Sequence, residues 1–110
     1  METYEAVLEA LGDRTRREIV HRLRAGPSSV GELAAAMPVS RPAISQHLAV
    51  LRRSGLVRYE EFGTRNVYRL DPAGLSELRA WLDGFWDEAL DRYAQRVRDD
   101  ADSGTQPRPE

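Results

Sequence analysis

SRPAISQHLAVLRRSGLV, the stretch at Ser40–Val57, contains a helix start, an amphipathic helix and a helix stop in direct succession. Ser40 has the side-chain oxygen that caps a helix by accepting a hydrogen bond from a first-turn amide. Pro42 fits the first turn, where a missing N–H costs nothing, and Gly55 supplies a left-handed stop. The pattern therefore predicts a helix from about Arg41 to Ser54.

The two faces of this helix differ in chemistry. Ile44, Leu48 and Leu51 follow the i, i+4, i+7 spacing and are predicted to point inward. The opposite face combines small residues, an amide and arginines, and no acidic residue occurs from Arg41 to Arg58. Such a face suits the DNA major groove, where Gln pairs with adenine, Arg with guanine, and small side chains approach thymine methyl groups. The alternative is an ordinary capped surface helix that lacks acids.

The composition is that of one globular domain. With 110 residues, 41% hydrophobic and 31% charged, the chain is long enough for a single modest core. No apolar run approaches the roughly 20 residues that span a bilayer, and no signal-peptide pattern opens the chain, so we expect a cytoplasmic protein without a membrane partner. Cysteine is absent, which excludes disulfides, thiolate metal sites and thiol redox sensing.

Charge is distributed unevenly although the formal net charge is only −2. Residues 1–70 contain eleven Arg and eight acidic residues, whereas residues 71–110 contain five Arg and ten acidic residues. The two parts of the chain therefore differ in electrostatic character, and a basic first part is compatible with nucleic-acid binding.

A first helix is predicted over Glu2–Leu11, because Tyr4, Val7, Leu8 and Leu11 share one stripe at helical spacing. Two interpretations of this stripe stay open: it packs against the core of its own chain, or it contacts a second copy of the chain.

A second helix is predicted after Asp13, which caps it, and before Gly26-Pro27, which closes it. It carries five arginines, at Arg14, Arg16, Arg17, Arg22 and Arg24. They either solubilise the helix or contact phosphate, and the sequence leaves both interpretations open.

A helix-turn-helix follows from the next segment. Ser29 and Glu32 form the pattern of a capping box, which predicts a short third helix. Pro38-Val39 breaks that helix a few residues before the cap at Ser40. Two helices joined by so short a turn, the second with a polar outer face, are typical of a helix-turn-helix.

The segment after Gly55 changes to a strand pattern. Leu56–Tyr59 and Val67–Leu70 are rich in β-branched and aromatic residues and flank Phe62–Asn66, whose Gly and Asn suit a hairpin turn. We predict a wing with Arg65 at its tip. The expected fold is mainly α with a small β-hairpin: a winged helix-turn-helix of five helices plus a two-stranded wing.

The last helix opens at Asp71-Pro72, and its apolar residues recur every three or four positions for some twenty residues. A domain this small cannot easily cover such a helix, so a partner helix is expected; the alternative is that it folds back on its own core. The sequence DDADSGTQPRPE from Asp99 has no apolar anchor. We predict a DNA-binding and dimerisation domain over residues 1–97 and a disordered tail over 98–110.

Two sets of contact residues follow from these elements. The predicted DNA contacts are Ser40, Arg41, Pro42, Ala43, Ser45, Gln46, Ala49, Arg52, Arg53 and Arg65. Arg41, Ser45 and Gln46 are expected to read bases, because the start of the helix enters the groove, and the remaining arginines to bind phosphate. The predicted homodimer contacts are Tyr4, Val7, Leu8, Leu78, Leu82, Phe85, Trp86 and Ala89.

In this order and spacing the chain resembles the ArsR/SmtB family of bacterial winged-helix repressors over roughly residues 3–95. The residues that carry the resemblance are Glu32-Leu33-Ala34, Ser40 with Ser45-Gln46-His47-Leu48 and Leu51, Ser54-Gly55-Leu56-Val57, and Gly63 with Tyr68-Arg69-Leu70. The resemblance implies a homodimer joined through the first and last helices. It also implies a pseudo-palindromic double-stranded operator and repression of transcription of its own or a neighbouring operon.

The sequence departs from the sensing motifs of that family. Where thiolate sensors carry cysteines in the third helix, this chain has Ala34, Ala35 and Ala36, and its last helix contains no His. Only His21 and His47 exist, and zinc needs three or four ligands. We therefore predict no metal site, no cofactor and no response to metals.

Three alternatives to this function differ in what they require of the residues. An enzyme is not expected, because no nucleophilic cysteine, glycine-rich phosphate loop or His–carboxylate pair at catalytic spacing occurs. A winged-helix module for protein–protein contact is a second alternative, although acidic or large apolar residues would then be expected on the Arg41–Arg53 face. The third is a repressor controlled by an organic effector, held by the aromatic residues Tyr4, Trp81, Phe85 and Trp86. We favour repression set by protein concentration over an effector.

Overall fold

The computed structural model describes residues 3–102, which form five helices and three strands. In chain order these are α1 Thr3–Ala10, α2 Arg14–Ala25, β1 Ser28–Ser29, α3 Val30–Ala36, α4 Arg41–Arg53, β2 Val57–Phe62, β3 Arg65–Leu70 and α5 Pro72–Asp102. The predicted winged helix-turn-helix is confirmed, with α3 and α4 as the helix pair and β2 and β3 as the wing. The chain divides into two compact units, Met1–Arg79 and Ala80–Glu110.

The helix starts follow the capping residues that the sequence predicted. Asp13 caps α2, because its carboxylate accepts a hydrogen bond from the Arg16 amide at 2.9 Å. Ser29 and Glu32 form a complete capping box at the start of α3: the Glu32 amide donates to Ser29 Oγ at 3.2 Å and the Ser29 amide donates to Glu32 Oε1 at 3.1 Å. Both devices satisfy first-turn amides that a helix leaves unpaired.

Helix α4 is confirmed with nearly the predicted limits. Ser40 Oγ accepts a hydrogen bond from the Ala43 amide at 3.3 Å, and the helix ends at Arg53, one residue before the predicted end. Gly55 adopts φ +87°, the left-handed conformation that stops the helix and that other residues rarely adopt. Since Ile44 and Leu48 are fully buried, the inward face of α4 is also confirmed.

The core lies within the first unit, between the helix-turn-helix, α1, α2 and the base of the wing. Its buried hydrophobic residues are Val7, Ala10, Ile19, Leu23, Leu33, Met37, Ile44, Leu48, Leu51, Leu56 and Val57. Fully burying each of the larger of these side chains contributes about 1.5–3 kcal/mol before the loss of conformational entropy. This shared core fixes the position of α4 relative to its neighbours.

The sheet has one strand more than the sequence predicted. Strand order is β1-β3-β2, all antiparallel, with Ser28 opposite Tyr68 and Ser29 opposite Val67. Strand β1 has only two residues, and no periodicity is detectable over so short a stretch. Its pairing joins the start of α3 to the wing.

The wing itself is a longer hairpin than predicted. Strands β2 and β3 pair from Val57–Leu70 to Phe62–Arg65, so that only Gly63 and Thr64 form the turn. Gly63 adopts φ +63°, as a tight two-residue turn requires. Phe62 and Arg65 are therefore strand residues, and the turn of five residues predicted over Phe62–Asn66 is wrong.

Helix α5 begins as predicted, with Asp71 Oδ1 accepting a hydrogen bond from the Ala73 amide at 3.0 Å. Its end differs from the prediction, because the helix continues to Asp102. The tail boundary at residue 98 is therefore wrong for residues 98–102, and residues 103–110 lie outside the described residues. Side-chain bonds one turn apart support the extension: Gln95 donates to Asp99 at 2.8 Å and Arg98 donates to Gln95 at 2.7 Å.

Candidate nucleic-acid interface

The outer face of α4 is exposed and free of acidic residues. Its exposed predicted contacts are Ser40, Arg41, Pro42, Ser45, Gln46, Arg52 and Arg53, while Ala43 and Ala49 are half-buried. The half-buried alanines add no bulk, so a partner can approach the helix closely. The sequence prediction that these side chains share one accessible surface agrees with their placement; that they contact DNA stays a prediction.

A groove of about 550 Å³ brings the start of α4 and the wing together. Arg41 and Arg65 both line it, with Thr64 and Asn66 from the wing and the first residues of α3. The Arg41 guanidinium lies against Gly31, where an added Cβ atom would be only 3.0 Å from its Nη2 atom. Gly31 therefore leaves room for Arg41 to lie over the start of α3.

One carboxylate, Glu32, faces this groove. Arg65 Nη2 lies 3.7 Å from Glu32 Oε1, and both side chains are more than half exposed. Hydrogen bonds from the Ser29 amide and hydroxyl lower the pKa of Glu32, and the charge of Arg65 lowers it further against an opposing effect of burial. An ion pair so exposed to water adds little to stability, so Arg65 can exchange Glu32 for another anion at little cost.

Arg52 has a different neighbour, which the sequence reasoning missed. Its guanidinium carbon lies 5.1 Å from the centre of the Tyr59 ring on β2, and that ring lies 5.4 Å from the Tyr68 ring on β3. A cation over an aromatic face is stabilised by about 0.5–1 kcal/mol at an exposed site. Arg52 is therefore oriented by the wing. Arg53 instead lines a separate recess that also contains Glu9 and Arg16.

The far side of α4 is tied to the α1–α2 junction by a polar cluster that the sequence also did not predict. Arg16 Nη1 lies 3.5 Å from Nδ1 of His47, and Asp13 Oδ1 lies 3.9 Å from the same atom. Arg16 also donates from Nε to the Ala10 carbonyl at 2.6 Å. The pKa of Asp13 is lowered, chiefly by the hydrogen bond from the Arg16 amide and also by the charges of His47 and Arg16. His47 and Arg16 are 31 residues apart, so no local signal predicts this link.

The predicted dimer residues of the first unit differ in how much of their surface is exposed. In the first unit, Leu8 is 42% exposed and Tyr4 is half-buried, whereas Val7 is fully buried. Val7 is therefore wrong as a dimer contact, because its side chain packs entirely inside its own protomer. Leu78 is half-buried against the same core, so part of its surface is already used.

Within the second unit, α5 presents an exposed apolar stripe. Phe85 and Trp86 are 51% and 57% exposed, and Leu82 is 37% exposed. The Phe85 ring lies 5.6 Å from the Trp81 ring in a stacked arrangement and 5.7 Å from the Trp86 ring edge-on. So many large apolar side chains in water mark a contact surface. The stripe continues beyond the predicted residues to Leu90, Tyr93 and Val97.

Other site types find no support in the part of the chain that the structure covers. No group of three or more His, Asp or Glu side chains within residues 3–102 is placed to hold a metal ion. Over the same range, none of the helices combines the length and the apolarity needed to cross a membrane.

Comparison with known proteins identifies the family. The model of the arsR family of bacterial regulatory proteins matches residues 13–59, which include the whole helix-turn-helix. The HTH-type transcriptional regulator Rv2034 of Mycobacterium tuberculosis is 53% identical over 105 residues, covering 93% of this chain and 98% of that protein. The chain belongs to the ArsR family.

Solved structures of similar proteins agree with the fold. The ArsR-like transcriptional regulator from Rhodococcus sp. RHA1 superposes with a TM-score of 0.80 at 34% identity, covering 87% of this chain and 91% of that one. The homodimeric winged helix-turn-helix DNA-binding domain of Mb0332 from Mycobacterium bovis superposes with a TM-score of 0.64 at 29% identity, covering 82% and 83%. This ArsR-family chain is thus a DNA-binding transcriptional regulator and not a member of an enzyme family.

Proposed function

We propose that this ArsR-family chain is a cytoplasmic homodimeric repressor that binds a pseudo-palindromic operator in double-stranded DNA and controls its own or a neighbouring operon. The observation that carries the proposal is the acid-free start of α4, where Arg41, Ser45 and Gln46 are exposed and Arg41 shares a groove with Arg65 of the wing. An operator bound in this way is blocked to other proteins, which is the simplest route to repression.

Base reading is assigned to the first two turns of α4. In a helix-turn-helix the start of the second helix meets the base edges, while later residues lie nearer the backbone. The Gln46 amide can pair with adenine through two hydrogen bonds, and the Arg41 guanidinium can pair with guanine. Each such pair discriminates against a wrong base by about 1–3 kcal/mol.

Phosphate binding is assigned to Arg52, Arg53 and Arg65. The exposed Arg65–Glu32 pair is weak enough to be replaced by a phosphate contact. Stacking on Tyr59 orients Arg52 without using its hydrogen-bond donors, which remain available to phosphate oxygens. These contacts position the protein and add affinity for any sequence.

Homodimerisation is supported by the apolar side chains of α5 and by the homodimeric state of the Mb0332 domain. A two-fold dimer presents two copies of α4, so its operator has two inverted half-sites. The dimer contacts proposed are Tyr4, Leu8, Leu82, Phe85, Trp86 and Ala89, with the remaining exposed surface of Leu78.

We further propose that binding is set by protein concentration and not by a metal. The composition argues this point, since the chain has no cysteine and only two histidines. The adjacent rings of Trp81, Phe85 and Trp86 favour one alternative, an organic effector with an aromatic or apolar part. Convergent polar groups that would orient a specific small ligand are not apparent among these three residues.

Footprinting of the purified protein on the DNA upstream of its own gene tests the proposal. Protection of an inverted repeat that overlaps the promoter is expected, together with reduced transcription from that promoter in vitro. Protection with increased transcription would refute repression while leaving DNA binding intact. If the protein does not bind duplex DNA at moderate salt, or if its binding does not depend on salt, the protein-docking alternative is favoured.

Substitution of Gln46 tests the docking geometry. Gln46→Ala is expected to relax specificity at one base pair per half-site and to weaken operator binding by about 1–3 kcal/mol for each half-site. Gln95→Ala, the same change at an exposed position of α5, serves as the matched control and should bind normally. An unchanged operator preference in Gln46→Ala would contradict the assigned orientation of α4.

A further inference from the structure

Helix α2 carries an exposed basic stripe that neither the core nor the recognition helix uses. Arg14, Arg17, His21 and Arg24 follow the i, i+3, i+7, i+10 spacing, which places them on one helix face, and all four are exposed. At 1.5 Å per residue this basic stripe extends over about 15 Å. One acidic residue of α2 lies at its side, Glu18, and that carboxylate is 3.0 Å from Nε of Arg22.

Helix stability does not explain the basic stripe. Like charges three and four residues apart destabilise a helix, and cations in the first turn oppose its macrodipole. The first turn of α2 contains no acidic residue. Arg17 has one structural task, donating from Nη1 to the Leu11 carbonyl at 2.7 Å. Within residues 3–102, Arg14 and Arg24 have no carboxylate partner.

The basic stripe is continuous with the helix-turn-helix. A groove of about 760 Å³ is lined on one side by residues of α2, which include Arg14, Arg17, His21 and the carboxylate of Glu18, and on the other by Met37–Val39. Val39 directly precedes Ser40, the cap of the recognition helix. One wall of the groove therefore ends directly before the start of α4.

We propose that the basic stripe of α2 is a second DNA-contact surface, which binds the phosphate backbone flanking the bases that α4 reads. This inference rests on the proposed function. Charge and continuity with the helix-turn-helix favour DNA as the occupant: each duplex strand carries one negative charge per 3.4 Å of helix axis, so a stripe of cations about 15 Å long can face more than one phosphate of a strand. The contact carries no base information, so it lengthens each half-site without adding specific positions.

The test uses the salt dependence of operator binding by the full-length protein. The double variant Arg14→Gln with Arg24→Gln removes two stripe cations and spares Arg17. Because each protomer of the dimer loses two cations, four phosphate contacts are lost per operator, and we expect the slope of log K against log salt to fall in magnitude by nearly four, at about 0.9 per lost contact. Operator and random duplex should weaken by the same factor, and hydroxyl-radical protection should be lost only at the outer edge of each half-site.

Two further variants separate contact from general charge and from folding. Arg79→Gln with Arg96→Gln makes the same change in net charge on α5 and should leave slope and footprint unchanged. Arg14→Lys with Arg24→Lys keeps the charges and should retain the slope. An unchanged slope in Arg14→Gln with Arg24→Gln, or an equal loss in the α5 control, would overturn the inference and would point to an acidic protein partner or a purely solvating role. Failure of the unmodified protein to bind its operator would instead overturn the proposed function.

Discussion

Replacing Gly74 by alanine should destabilise the fold, although alanine is the better helix former. Gly74 is buried in the first turn of α5, against the backbone of Gly55. A methyl carbon added there would lie 2.6 Å from the Gly55 carbonyl carbon and 3.0 Å from the Leu56 amide nitrogen, and closer still to the Gly55 oxygen. These are backbone atoms, so no side chain can rotate away to relieve the overlap.

The size of the effect follows from two opposing terms. Alanine gains up to about 1 kcal/mol over glycine inside a helix. Overpacking of a closely packed site costs about 1–3 kcal/mol, and contact with backbone places Gly74 at or above the upper end of that range. We therefore expect a net loss of about 2 kcal/mol or more in the free energy of unfolding, which lowers Tm by roughly 4–8 °C per kcal/mol in a domain of this size.

Gly84→Ala is the matched control on the same helix. An added methyl carbon at Gly84 meets no atom within 4 Å, so the control should gain about 0.5–1 kcal/mol. Urea unfolding at one fixed protein concentration compares the variants, since a dimer's stability depends on concentration. The reasoning is refuted if Gly74→Ala is as stable as the unmodified protein while Gly84→Ala behaves as expected.

Three further predictions concern the dimer, acid stability and metals. Phe85→Glu should convert the dimer to monomers, because an unpaired carboxylate buried at a two-fold interface costs several kcal/mol; sedimentation showing an intact dimer would contradict this. Folding lowers the pKa values of Asp13 and Glu32 from their ordinary values of 3.8 and 4.5. The stability that the two carboxylates contribute is therefore complete well above these ordinary values and is lost as the pH falls below them. Acid unfolding of Glu32→Gln, which keeps the capping box, should show a smaller loss in that range than the unmodified protein. Zn(II), Cd(II), As(III) and EDTA should leave operator affinity unchanged, and a stoichiometric bound metal with a tenfold shift, about 1.4 kcal/mol, would overturn the prediction.

Local rules were enough to predict the helices and the helix-turn-helix. The caps at Asp13, Ser29 and Ser40 and the inward face of α4 depend on residues within about four positions of one another, and all are confirmed. The family resemblance is confirmed for the same reason, because its motifs are contiguous stretches. The roles of individual side chains in DNA binding and dimerisation stay predictions.

Tertiary structure decided which of these residues meet across the chain. Local patterns treat each segment of the chain separately. The structure joins such segments in four places: the burial of Val7, the pairing of β1 with β3, the approach of Gly74 to Gly55 and the contact of Glu32 with Arg65. The basic stripe of α2 is readable from spacing alone, yet its position beside the turn before α4 is not. The physical reason is that caps and periodicity are energies of a single helix, whereas these contacts depend on how several helices and a sheet share one core.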